Sequence, residues 1–431
     1  MQRKRKLVRF INRSKLVSLI LLIAISATLL ADLLKVITEK MEHYFFHFYQ
    51  ENPLKILIGI SPLIGLLAIF SIRKFIFSNK PNKGITEVIE NLNSQKRTLK
   101  KDRIFSHFVN GWLTVIFGGS TGIEVSTVVS TAAIGSVAGD FVNRKEISNW
   151  LVMAGVSAGI TALFNAPLAG IFFVVEVLMT NFSMTALSIT VLSALTAGGL
   201  NYFMNQESFF QIAQTDWHMQ AMPFFFLLGG IAALFSVYLT QTIIRVKKKF
   251  SEISSGFIKV LLGGLLIGTG ILVFPSLYGE GYLTIKNLLT GNADKIGFGI
   301  VSSTYQYWQV ILILCMILLF KPIITSFTLA SGGDGGVFAP SLFLGAIVGF
   351  LVAQFINQTG LGHVVEINFV IVGMAAVLSA SIHAPFTAIA LVLGLTGNYQ
   401  ILLPTLITSL VAFGFARKIQ PYTVYSYNPA R

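Results

Sequence analysis

The sequence predicts an all-α protein built into a membrane, and three observations predict it. Of 431 residues, 54% are hydrophobic and only 12% charged, with a mean hydropathy of +0.74; soluble domains carry about 25% charged residues. Long stretches hold no Lys, Arg, Asp or Glu at all: residues 147–175, 221–244 and 367–416, the last long enough for two spans at about 20 residues each. The basic residues lie in short blocks beside apolar runs: "QRKRK" after Met1, "QKRTLKK" from Gln95 to Lys101 and "RVKKK" from Arg245 to Lys249. That placement is the positive-inside pattern and predicts a cytoplasmic amino terminus. It also explains the formal charge of +14 without nucleic acid as a partner. Cys315 is the only cysteine, so no intramolecular disulfide forms.

In chain order, the basic amino terminus and the run from Leu16 to Ala31 could pass for a signal peptide, but no small-residue cleavage site follows, so a retained helix is expected. Further apolar segments start near Leu54, Phe105, Ser126, Asn149, Leu168, Met184, Met222, Ile258, Trp308, Phe338, Ile367, Phe386 and Leu402. "FNAPLAG" and "IHAPFTA" interrupt two of the runs. Proline removes a helix hydrogen bond and clashes with the preceding turn. A broken helix survives at membrane depth only where protein or a water-filled cavity satisfies the freed backbone, so half-spanning helices are expected. The two breaks belong to an internal repeat. "AGVSAGITALFNAPLAGIFFVV" from Ala154 aligns without gaps on "VGMAAVLSASIHAPFTAIALVL" from Val372, matching Gly155 with Gly373, Ala158 with Ala376, Ala166 with Ala384, Pro167 with Pro385 and Ile171 with Ile389. Upstream, "GGSTGIEVS" at Gly118 lies over "GGDGGVFAP" at Gly332. The expected organisation is one transmembrane domain over residues 1–431, with repeats at roughly 50–205 and 222–416 and no separate soluble domain. Asn201 to Met219 and Leu277 to Gly297 read as external polar loops.

Three Gly-containing blocks precede or open apolar runs: "NKGITEV" at Asn82, "GSTGIEVS" at Gly119 and "GGDGGVFAP" at Gly332. A helix N-terminus carries unsatisfied N–H groups and about half a positive charge, and glycine lets a backbone approach an ion closely. Such N-termini converging at the midplane would hold an anion without a formal charge. Small residues serve tight helix packing equally well, but two repeat-related blocks favour the ion site. Within residues 104–139 Glu124 is the single Lys, Arg, Asp or Glu. The sequence has no nucleophile–base set, nucleotide loop or metal-ligand cluster, so no enzyme, catalytic residue, metal or cofactor is expected.

The stretches "AGVSAGITALFNAPLAGIFFVVE", "GGVFAPSLFLGA", "GMAAVLSASIHAPFTAIALVL" and "GNYQILLPTLIT" resemble the CLC family of chloride channels and proton/anion exchangers, in its bacterial form without a soluble regulatory domain. The resemblance covers nearly the whole chain. It implies an inverted repeat of about eighteen mostly tilted or half-spanning helices and a homodimer with a pore in each subunit, in a bacterial inner membrane. The family's "GREGP" block reads "GIEVS" here, placing its gating glutamate on Glu124, where the side chain competes with the anion. Ile123 replaces the block's basic residue and belongs to the same anion-binding turn. The "GxFAP" block matches at Gly336 to Pro340, which implies that the amides of Val337 and Phe338 face the anion. The pore tyrosine falls on Tyr425 by gap-free extension from Leu406, with Tyr422 as the alternative register.

Two departures from the family pattern bear on function. Its "GSGIP" block reads "NKGIT", so Lys83, followed by Gly84, stands where an anion-coordinating serine is expected. The amine could place a charge beside the pathway or could snorkel to the cytoplasmic edge. Exchangers of the family carry an inner proton-accepting glutamate after the position of Glu176; here that residue is Val177, which cannot relay a proton. Glu176 itself is expected to cap or pair, and a carboxylate position in a later segment is Gly394. His107 and His383 read as packed, hydrogen-bonded side chains and Asp334 as a helix cap. The function expected is chloride transport through a Glu124-gated, channel-like pore. The alternatives are proton/anion exchange over a modified inner path, selectivity for fluoride or nitrate, and a non-conducting anion sensor.

Overall fold

The computed structural model describes residues 2–51, 56–77, 82–94, 99–142, 144–204, 209–210, 212, 215–293, 296 and 307–427, without the side chains of 2–13, 49–51 and 307. Part of the basic block at Gln95 to Lys101 and part of the loop from Asn201 to Met219 lie outside the described residues. The described chain is helical throughout. In order the helices are α1 (Gln2–Glu51), α2 (Leu57–Phe75), α3 (Ile85–Asn93), α4 (Asp102–Ile116), α5 (Glu124–Ala138), α6 (Lys145–Phe164), α7 (Pro167–Phe173), α8 (Met184–Phe203), α9 (Met222–Ser251), α10 (Gly256–Val273), α11 (Tyr282–Leu289), α12 (Tyr307–Ala330), α13 (Phe338–Thr359), α14 (Glu366–Ile382), α15 (Pro385–Thr396) and α16 (Leu402–Ile419).

Among the described residues, nine helices are long and apolar enough to cross a membrane, and the protein is a multi-pass membrane protein. Two of them, α6 and α13, are buried over 83% of their apolar windows, whereas the other seven are buried over 33 to 50%. Hence α6 and α13 form the middle of the body, and the others present apolar faces such as Leu22, Leu195, Leu265 and Leu312 outward. The centre packs as two similar pairs, α5 against α6 and α13 against α14. Gly155 lies against the carbonyl of Thr131, and Gly373 against the carbonyl of Gly345. In lipid, helix association rests on such close backbone approach rather than on a hydrophobic driving force.

The two proline breaks are built alike. Helix α6 stops at Asn165 (φ 51°) and α14 at His383 (φ 55°), the two non-glycine residues in left-handed conformation among those described. Ala166 and Ala384 follow with φ near −130°, and Pro167 and Pro385 take the first turn of the next helix, where a missing N–H costs nothing. His383 is therefore a left-handed helix cap whose ring edge meets Phe413 at 5.8 Å, rather than a residue placed by its hydrogen bonds.

Two expectations change. Helix α1 does not stop near Ala31: its apolar span runs from Ser14 to Phe48 and brings Asp32 and Lys35 into buried positions. The stretch from Leu277 is not an external loop. Gly279 (φ 58°) and Gly281 (φ 87°) turn it back into the body, so Leu277, Tyr278 and Glu280 are buried and α11 packs on α13.

If the α13–α14 contact carries the fold, Gly373→Val should lower stability by about 1–3 kcal/mol, read as an earlier thermal midpoint in detergent. Gly414→Val, at a site with nothing within 4 Å of an added Cβ, should leave the midpoint unchanged.

Candidate functional site

The site is made by the two glycine blocks meeting. Gly122 and Gly336 pair as an antiparallel bridge, and the Thr121 hydroxyl donates to the Gly336 carbonyl at 2.8 Å. Two residues past each bridge a helix begins, α5 at Glu124 and α13 at Phe338, so two positive helix ends face one point. The crossing is tight: a Cβ on Gly336 would strike the Val125 side chain, and one on Gly122 would displace the Glu124 carboxylate.

Glu124, the first residue of α5, is 1% exposed. Its Oε1 accepts from the Tyr282 hydroxyl at 2.6 Å, and the amides of Glu124 itself and of Ala339 on α13 face the carboxylate. Opposite lies Tyr425, whose hydroxyl accepts from the Val337 N–H at 3.1 Å. Its backbone is fixed from α3, where the Thr86 hydroxyl donates to the Tyr425 carbonyl at 3.0 Å. Tyr422, by contrast, is 37% exposed and pairs with the Tyr427 ring, so it does not enter the crossing. Phe338 is fully buried and packs on Phe173. Gly84 caps α3 with φ 61°, a conformation that favours glycine, with the Val125 side chain close by. The structure thus gathers Glu124, Val337, Phe338, Gly84 and Tyr425.

The other candidates are placed differently. Lys83 does not reach toward Tyr425; its ammonium holds both oxygens of Glu90 at 2.9 and 3.0 Å, half exposed. The helical turn after Gly84 carries Glu90 on the same side, which supplies the partner. The Ile123 N–H is already engaged: it donates to Oε1 of Glu280 at 2.8 Å. Glu176 caps α15, its two oxygens accepting from the N–H groups of Phe386 and Thr387 and from the Thr387 hydroxyl. Val177 sits in the π-helical turn Val174–Leu178 that ends the α7 segment, packed against core side chains. Gly394 lies in α15 against Ala166.

Asp334 does not cap α13. Its carboxylate takes Nδ1 of His107 at 2.9 Å and Nδ2 of Asn82 at 2.7 Å, while its own N–H donates to the Thr114 hydroxyl at 2.9 Å. His107 is accordingly a packed, hydrogen-bonded histidine. Together with the ion pair of Arg103 and Glu87 at 2.7 Å, these contacts tie the glycine turn before α13 to α3, α4 and the α2–α3 connection.

Sequence reasoning missed the polar groups behind Glu124. Glu280 donates its N–H to Oε1 of Glu42 at 3.1 Å. Lys321, fully buried, donates to the Gly279 carbonyl at 3.2 Å and lies 4.6 Å from the centroid of the Phe343 ring. Lys35 and Glu39 join Glu124, Glu280 and Tyr282 around a small cavity. Their available signals were a carboxylate between two glycines, "GEG", and a lone lysine beside Pro322 inside an apolar run.

The profile of the family described as Voltage gated chloride channel matches residues 64–417. The H(+)/Cl(-) exchange transporter ClcA of Cronobacter sakazakii is 31% identical over 387 residues, covering 86% of this chain and 78% of the relative. A slow cyanobacterial Cl-/H+ antiporter shares the fold with a TM-score of 0.81 at 22% identity, over 95% of this chain and 96% of that one. A CLC-type fluoride/proton antiporter does so with a TM-score of 0.79 at 21% identity, over 96% and 98%. The chain belongs to the voltage-gated chloride channel family, the CLC family.

Because the Lys83 amine is held by Glu90, Lys83→Ala should leave chloride affinity unchanged in a calorimetric titration. A severalfold loss of affinity would mean that the ammonium reaches the anion.

Proposed function

We propose that this CLC chain exchanges chloride for protons across a membrane, with Glu124 as the group that alternately blocks the anion and carries the proton. The observation that carries the reading is the position of the Glu124 carboxylate, the first residue of α5 at the crossing where α13 also begins. A carboxylate there mimics an anion: it takes the positive helix ends that chloride would use. When ionised it competes with chloride; when protonated it has no charge to hold it there and the anion passes. The binding groups on the opposite side are the Val337 and Phe338 amides and the Tyr425 hydroxyl. That hydroxyl accepts from the Val337 N–H and can turn to donate to an anion instead. Neutral donors hold chloride without trapping it, and conduction needs binding weak enough to release.

Exchange is preferred to the channel-like passage expected from Val177 because relatives at 30 to 31% identity are named H(+)/Cl(-) exchange transporters. Passive conduction is the second reading, and Val177 favours it, because valine offers no proton site. Glu176 does not substitute for it, as both its oxygens are held by the α15 N-terminus. Chloride is the anion proposed, and fluoride is the alternative suggested by the fluoride/proton antiporter of the same fold. We place the chain in a bacterial inner membrane as a homodimer with one pathway per subunit and its amino terminus in the cytoplasm.

Purified protein in liposomes carrying a chloride gradient should drive protons uphill, measured with paired chloride and pH electrodes. Sustained chloride flux with no uphill proton movement would establish passive conduction instead. Glu124→Gln should uncouple the two fluxes and remove the pH dependence of chloride movement; a variant that kept full pH gating would overturn the role given to Glu124.

A further inference from the structure

We propose that Glu280 is a second tethered carboxylate of the pathway, coupled to Glu124, and that its charge sets the pH at which Glu124 releases its seat. The proposal rests on the reading of Glu124 given above. Glu280 is 2% exposed and Glu124 is 1% exposed. The two are joined through one residue of backbone, because Glu280 accepts from the N–H of Ile123, the residue before Glu124. They are joined a second time through Tyr282, two residues after Glu280, whose hydroxyl donates to Glu124. Both border the same cavity, with Lys35 and Glu39 on its α1 side. An amide at the head of α5 is a natural anion donor, and here a protein carboxylate holds it.

The groups facing Glu280 come from every neighbouring element. Helix α1 supplies Glu39 and Glu42, and Lys35, which also faces Asp32 and Glu39. Helix α5 supplies Glu124. The turn itself supplies Tyr278, committed to the Ile116 carbonyl, and Tyr282. Helix α12 supplies Lys321, which faces Glu42 and Glu280, and α13 supplies only the Phe343 ring beneath that lysine. Five carboxylates therefore share two ammonium groups, with Asp32, Glu124 and Glu280 buried and Glu39 and Glu42 half-buried. Neighbouring carboxylates oppose each other's ionisation, and the pair titrates as a unit. Negative charge on Glu280 opposes negative charge on Glu124, so removing it favours the ionised, seated form of Glu124. Lys321 offsets part of that charge. A residue that only capped α5 would do so equally well as glutamine.

Glu280→Gln keeps an oxygen for the Ile123 N–H and removes only the charge. In liposome chloride efflux measured against pH, its midpoint should move toward acid by about one pH unit. Lys321→Met, which removes the opposing charge, should move the midpoint the other way and serves also where Glu280→Gln does not reconstitute. A Glu280→Gln or Lys321→Met profile that superimposes on the wild type would overturn the proposal. The Glu124→Gln variant and the Glu124→Gln/Glu280→Gln double variant separate the two readings. Both should be flat with pH. If Glu124→Gln alone is flat while Glu280→Gln matches wild type, only the Glu280 proposal falls. If Glu124→Gln stays pH-dependent, the gating reading falls with it.

Discussion

Everything in this structure depends on one constraint: a helix that begins inside a membrane must find acceptors for its first N–H groups. No water is at hand in hydrocarbon, and each orphaned group costs several kcal/mol. The chain starts α5, α7, α13 and α15 inside its body and answers the constraint differently at each. Proline begins α7 and α15, removing one donor outright, and Glu176 takes two more at α15. At α5 the Ile123 N–H goes to Glu280 and the Glu124 carboxylate folds over its own helix end. At α13 the Tyr425 hydroxyl takes Val337. The groups that complete the fold at α5 and α13 are therefore the same ones that the proposed exchange has an anion displace, and on that proposal stability and transport share a single set of hydrogen bonds.

The same constraint explains why buried charge gathers around the crossing. A carboxylate that accepts from a helix N-terminus is stabilised by the helix end, yet burial of an unpaired charge is expensive. Lys321 and Lys35 supply opposite charge on one side. On the other, Asp334 and Glu87 are matched with His107 and Arg103. Of the first group Lys35 lines the cavity beside Glu124 and Glu280; the second is spent on holding the glycine turn before α13. Pairing of that second kind fixes geometry and leaves few protons free to exchange.

Much of this was legible in the sequence because it is local. "FNAP" and "IHAP" announce two like breaks, and residues 165–167 and 383–385 are both built as a left-handed cap, an extended residue and a proline in the first helical turn. Glu124 stood out as the single charge in a long apolar stretch, and "GGVFAP" fixed the facing helix start. What was not legible depends on tertiary direction. Whether Lys83 turned inward depended on Glu90 seven residues away on α3. Whether Leu277 onward faced solvent depended on turns at Gly279 and Gly281, which composition reads as loop. Glu280 and Ile123 are 157 residues apart, and Lys321 and Gly279 are 42 apart; no periodicity within either segment announces such pairs.

The placement of titratable groups also bears on how coupling could work without a glutamate at position 177. Beside Val177, Glu176 is held by three hydrogen bonds from α15, and a proton taken there would cost the cap of that helix. Behind Glu124, by contrast, Lys35, Glu39 and Glu280 line a cavity. In the proposed exchange, a proton approaching Glu124 from the Val177 side would find a valine at that position, while from the Lys35 side it would meet Glu39 and Glu280 at the cavity.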